Sequence, residues 1–195
     1  IVLDGDDILQ YPENQMRNVR GRKISMILQD PQTSLNPVYT IGNQLVEALT
    51  HRTDETTKEK GLRELAQQAL RDVRVAAPER RLLDFPHQMS GGMKQRVVGA
   101  VAMACSPKVI IADEPTTALD VTIQLQYLRL LKDIQAQTGM SIIFITHDFG
   151  IVARMCDRVA VMYAGRIVEN GPVREIFNNP AHPYTEALIG SVPRL

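Results

Sequence analysis

The chain has 195 residues, 44% of them hydrophobic, with 22 basic side chains against 22 acidic. This length and apolar content suit one folded domain with a real core and exclude a disordered chain. The balanced charge argues against nucleic acid as a bulk electrostatic partner. No apolar run reaches the roughly 18 residues of a membrane span, and no signal peptide is visible.

In chain order, "IVLDGDDIL" reads as a short strand, a glycine turn and a return. "KISMILQD", Lys23 to Asp30, is an apolar strand running into the polar loop "PQTSLNP". A polar, helix-rich stretch follows from about Ile41 to Asp84. Its first helix, "IGNQLVEALTH", places Ile41, Leu45, Val46 and Leu49 at helical spacing. Its second, "KEKGLRELAQQALRDVRV", puts Leu62, Leu65, Ala66, Ala69, Leu70 and Val73 on one face. "VVGAVAMAC" is a small-residue apolar helix, expected to be well buried. "KVIIAD" and "MSIIFITHD" are continuous apolar strands, the pattern of strands covered on both faces. Between them a helix carries the stripe Ile123, Tyr127, Leu130, Leu131 and Ile134, with Gly139 as its C-cap. "FGIVARMCD", "RVAVMYAGRIVENG" and "PVREIFNN" then predict helix, β-hairpin and helix. This alternation predicts an α/β fold with a mainly parallel sheet and an inserted α-helical subdomain over about 41–89. Cys105 and Cys156 lack metal spacing and read as small buried hydrophobes of a reducing compartment.

Five short stretches carry chemistry. "VIIADEPT" places Asp113 and Glu114 at the carboxyl end of an apolar strand, the edge where open α/β sheets bind ligands. That is the form of a Walker B element, whose Asp holds Mg²⁺ while the adjacent carboxylate orients or deprotonates water. Taken alone, the pair also reads as two solvated acids. "MILQD" puts Gln29 just past a strand, where an amide oxygen can ligate Mg²⁺ or bond water; it reads equally as a polar loop residue. "SIIFITHD" puts His147 at the same edge, as a phosphate contact or as a structural cap. "MSGGMKQR" offers the Ser90 hydroxyl and the backbone N–H groups of Gly91 and Gly92 at a helix start, an anion site or simply an N-cap and a turn. "TTALD" ends in Asp120 before a helix, where it also reads as an N-cap.

The order of these elements resembles the nucleotide-binding subunits of ABC transporters, end to end. Gln29 matches the Q-loop, "MSGGM" the signature usually written LSGGQ, "VIIADEP" Walker B, "ALD" the D-loop and His147 the switch histidine. Met89 replaces Leu and Met93 replaces Gln in the signature, leaving the Ser-Gly-Gly centre intact. "ILQDPQTSLNP" and "NPAHPYTEALIGSVP" resemble the ATPases of oligopeptide, dipeptide and nickel importers. The resemblance implies a P-loop NTPase-like ATPase domain over 1–179 and the start of a C-terminal extension over 180–195.

It also implies ATP and Mg²⁺ as cofactors, hydrolysis coupled to import of oligopeptides or dipeptides, and a peripheral place on the cytoplasmic face of the membrane. Expected partners are a second ABC subunit, transmembrane permease subunits and, indirectly, a solute-binding protein. Asp113 and Gln29 would hold Mg²⁺, with Glu114, Gln29 and His147 catalytic. Ser90, Gly91, Gly92 and Met93 would grip ATP on the partner subunit, and Asp120 would couple the two sites. A Walker A motif, G-x-x-x-x-G-K-[ST], is not found: Lys23, Lys58, Lys60, Lys94, Lys108 and Lys132 are followed by Ile, Glu, Gly, Gln, Val and Asp. The resemblance places that motif before "VLDGDDIL", so these 195 residues are expected to be an N-terminally truncated copy lacking ATPase activity alone. A soluble ABC ATPase, or a non-catalytic remnant lending its signature helix to an intact partner, are the competing readings.

Overall fold

The computed structural model describes residues 1–50 and 59–191. Val2–Leu3 (β1) and Asp6–Asp7 (β2) form the expected antiparallel return. Asp4 and Gly5 turn between them at positive φ, and a 3₁₀ turn covers Ile8–Gln10. The Asp4 carboxylate accepts a bond from Lys108 Nζ at 2.7 Å, which holds it below the usual carboxylate range. Glu13–Val19 (α1) precedes Ile24–Ile27 (β3), and Asp30 caps the single turn Pro31–Ser34 (α2).

Ile41–Thr50 (α3) buries Ile41, Leu45 and Leu49, and Glu59–Asp72 (α4) buries Leu62, Ala66 and Leu70, each at the expected spacing. Leu65 departs from the stripe and is exposed, because it sits at the margin of the buried face. His51 and Lys58, ends of the two helical stretches in the sequence, lie outside the described residues. Pro78–Arg81 (α5) and a 3₁₀ turn over Pro86–Gln88 complete the helical region. Gly91–Met103 (α6) buries Val97, Val98, Gly99, Ala100 and Ala102, as its small-residue composition requires.

Val109–Asp113 (β4) pairs in parallel with β3. Val121–Thr138 (α7) buries Tyr127, Leu128, Leu130 and Leu131 and ends on Gly139 at φ 70°. Ser141–Ile145 (β5) completes a three-stranded sheet ordered β3-β4-β5. Ile110 and Ala112 on β4 are fully buried, but Ile143 and Ile145 on β5 are 53% and 48% exposed. The expectation of two strands covered on both faces therefore fails: β4 is fully buried on the face of Ile110 and Ala112 and half-buried on the other, while β5, at the sheet edge, is exposed on the face of Ile143 and Ile145.

The chain divides into two compact units, Ile1–Ile143 and Phe144–Leu195. In the second, Phe149–Met155 (α8) is capped by Asp148. Arg158–Tyr163 (β6) and Arg166–Pro172 (β7) make the expected hairpin, turning through Ala164 and Gly165, both at positive φ. Val173–Asn178 (α9) and Pro183–Gly190 (α10) follow. The Glu169 carboxylate on β7 accepts the backbone N–H groups of Ala181 and His182 at 2.8 and 3.1 Å, fixing the entry to α10. Those bonds, the one from Ala181 first, hold Glu169 below the ordinary glutamate range.

Cys105 and Cys156 are each half-buried, not fully buried as the sequence suggested. Cys105 Sγ donates to Ala48 O at 3.4 Å, and burial followed by the neighbouring Asp157 pushes the Cys156 thiol up. Among the described residues no helix is long and apolar enough to cross a membrane.

Candidate functional site

Two clusters of the expected residues form in the first unit. The first follows from strand register. Ile27 of β3 pairs with Ala112 of β4, and Gln29 and Glu114 each lie two residues beyond that pair. Parallel pairing therefore carries both side chains to the same sheet edge, where Gln29 Nε2 donates to Glu114 Oε2 at 2.8 Å. Glu114 adopts φ 41°, a left-handed conformation that side-chain-bearing residues rarely take and that marks local strain. Thr117 Oγ1 donates to the same carboxylate oxygen at 3.0 Å. This partner was missed in the sequence, although the spacing of three residues across the "EPTT" turn is a usable signal.

With its amide N–H committed to Glu114, Gln29 keeps its amide oxygen as an acceptor. Asp113, half-buried at the end of β4, brings a carboxylate to the adjacent position. Among the described residues no three His, Cys, Asp or Glu side chains form a metal-holding group. One carboxylate and one amide oxygen fit Mg²⁺, a hard cation usually held by one or two protein carboxylates plus water and phosphate oxygens. They do not fit a thiolate or imidazole metal centre.

The second cluster is built on two helix starts. Ser90 is the N-cap of α6, but its hydroxyl accepts Met93 N–H only at a long 3.4 Å. A Cβ at Gly91 would meet nothing within 4 Å, so one side of this turn is open. A Cβ at Gly92 would come within 2.7 Å of Ile123 Cγ2, so that glycine is required by the close approach of α7. Asp120 caps α7 with two bonds to one carboxylate oxygen, from Thr122 N–H at 3.1 Å and Ile123 N–H at 3.0 Å. The N-cap reading of Asp120 thus holds. Gln124 Nε2 donates to the Thr116 hydroxyl at 3.1 Å, tying α7 to the loop after Glu114. Met93 lies in the first turn of α6, and the preceding Met89 is buried, anchoring the turn.

His147 belongs to the second unit, two residues past β5 and next to Asp148. Asp148 Oδ1 accepts Gly150 N–H at 2.7 Å, which fixes the start of α8 just after the histidine.

The ABC transporter family matches residues 1–117, and the C-terminal region of oligopeptide/dipeptide transporters matches residues 168–195. A probable peptide ABC transporter ATP-binding protein of Sinorhizobium fredii is 54% identical over 99% of the chain and 57% of the relative. The oligopeptide transport ATP-binding protein OppD of Bacillus subtilis is 53% identical over 100% of the chain and 54% of its own length. The chain thus spans about half the length of the curated relatives it matches. Among solved structures, the dimeric post-hydrolysis ATP-binding cassette MJ0796, bound to ADP and Pi, is 27% identical with a TM-score of 0.76, covering 88% of this chain and 72% of that one. CbiO1 of Clostridium perfringens, part of the ABC transporter complex cbiONQ, is 29% identical with a TM-score of 0.78, covering 91% of this chain and 67% of its own. The fold is therefore that of an ATP-binding cassette, and with more than half its length matched the chain belongs to the ABC transporter family.

Proposed function

We propose that this chain is part of the ATP-hydrolysing subunit of an ABC importer of oligopeptides or dipeptides. The bond from Gln29 to Glu114 carries the reading, since it holds a carboxylate at the ligand-binding edge of a parallel sheet in a strained conformation. Glu114, steadied by Gln29 and Thr117, accepts a proton from the attacking water and orients it. Asp113 and the Gln29 amide oxygen would hold Mg²⁺, which when bound supplies positive charge at the phosphates. For His147, in the second unit, the reading is the family's switch histidine, whose imidazole would serve as a phosphate contact. Ser90 and the N–H groups of Gly91 and Gly92, at the positive end of α6, grip the phosphates of ATP held on a second subunit. Met93 flanks that grip, and Asp120, at the head of the helix packed on Gly92, links it to the neighbouring site.

The names of the relatives and the match to the peptide-transporter C-terminal region support peptides as cargo. Residues 1–179 would form the ATPase domain around a helical subdomain at about 41–89, and 180–195 would open the extension. The subunit would act at the cytoplasmic face of the membrane with permease subunits and, through them, a solute-binding protein.

Glu114→Gln keeps an oxygen for the Gln29 bond but removes the base. In the natural-length protein it is expected to lower ATP turnover about 10²–10⁴-fold, with ATP binding by isothermal titration retained. Undiminished turnover would overturn the role given to Glu114.

A further inference from the structure

Helices α6 and α7 meet along a stripe that begins in the candidate site and runs away from it. On α6 the stripe is Gly92, Gln95 and Gly99, three and four residues apart; on α7 it is Ile123 and Tyr127, one turn apart. A Cβ at Gly99 would lie 2.9 Å from the Tyr127 hydroxyl oxygen and 3.8 Å from Cε2 of the ring. Tyr127 is 1% exposed, so the ring has nowhere to swing. The phenol tip therefore rests on bare α6 backbone, as Ile123 does at Gly92.

Two buried polar atoms in this seam lack a hydrogen bond of good geometry. Gln95, 2% exposed, leaves its amide nitrogen without a hydrogen-bond partner, and the Tyr127 hydroxyl has none either. The amide nonetheless lies near enough to act on the phenol, while burial pushes the phenol above its ordinary value.

We propose that Gly99 and Tyr127 are positioning residues of the ATPase: the phenol tip seated on Gly99 sets the separation of α6 and α7, and so the placement of Ser90–Gly92 against Asp120. The proposal rests on the reading of Ser90–Gly92 as a phosphate grip. Neither residue is among those assigned to the nucleotide. Helix α6 is continuous from Gly91 to Met103, so a displacement at Gly99 reaches Ser90, about 13 Å along the axis at 1.5 Å per residue. Displacements of this kind, remote from the reacting atoms, still slow a reaction that depends on alignment.

The test pairs two substitutions. Gly99→Ala sets a methyl against the Tyr127 hydroxyl, and Tyr127→Phe removes the oxygen that methyl would meet. In the natural-length protein, Gly99→Ala is expected to lower kcat roughly tenfold, with KM for MgATP moving less than about twofold. Gly99→Ala with Tyr127→Phe is expected to recover most of the lost kcat. Tyr127→Leu, which removes the spacer from the other helix, is expected to lower kcat as well, again with little change in KM. A folded Gly99→Ala protein with wild-type kcat, or a double variant no faster than the single, would overturn the proposal. An unsubstituted protein that turns over no ATP would overturn the ATPase reading instead. The contact would then be decided by the same cycle in unfolding midpoints: non-additive shifts uphold it and additive shifts overturn it.

Discussion

Helices α6 and α7 start side by side in the candidate site, yet their first turns are closed in opposite ways. At α7 the Asp120 carboxylate accepts two backbone N–H groups at 3.0 and 3.1 Å, so the helix end is satisfied by the chain itself. At α6 the Ser90 hydroxyl reaches one N–H at 3.4 Å, no carboxylate stands in the first turn, and the Gly91 side is open. The start of α6 is thus less fully satisfied by the chain itself than that of α7, the contrast expected if α6 takes an external anion. Both residues suit an N-cap by type, and only the geometry separates the tight cap from the loose one.

The contrast is sharpened most by Gly92→Ala. Its new methyl meets Ile123 Cγ2 at 2.7 Å, an overpacked contact of about 1–3 kcal/mol. The unfolding midpoint is expected to drop by about 2–4 °C per kcal/mol, and turnover in the natural-length protein to fall with it. A variant of unchanged midpoint and turnover would show that the two helix starts are not tightly packed. Asp120→Ala comes next, since it strips two bonds from α7 and is expected to cost about 1–2 kcal/mol by chemical denaturation. Ser90→Ala is expected to cost the least, about 0.5 kcal/mol, because its single bond is long. Equal losses for Ser90→Ala and Asp120→Ala would erase the distinction between the two caps.

Much of this arrangement was legible in the residues. The order of Gln29, the Ser-Gly-Gly turn, Asp113–Glu114, Asp120 and His147 pointed to the family, and helical and strand periodicity placed α3, α4, α6, α7 and β4. What the sequence could not supply were properties set by position in three dimensions. "KVIIAD" and "MSIIFI" are both apolar, but β4 lies inside the sheet with one face fully buried, and β5 lies at its edge with neither face fully buried. Composition reports what a strand can bury, and sheet order decides what it does bury. The pairing of Gln29 with Glu114 depends on register between strands 85 residues apart, which no local pattern encodes. The opposing roles of Gly91 and Gly92 were equally hidden, since only the approach of Ile123 distinguishes them.

The central claim is that α6 offers its open end to ATP held by another subunit. It is tested most directly by sedimentation velocity of the natural-length Glu114→Gln protein with its partner subunit, with and without ATP, and again after adding Ser90→Ala. ATP is expected to drive association in the single variant. Removing the Ser90 hydroxyl is expected to weaken that association about tenfold, the worth of one good hydrogen bond, while the unfolding midpoint shifts by only a few degrees. ATP-driven association that is indifferent to the loss of Ser90 would contradict the account.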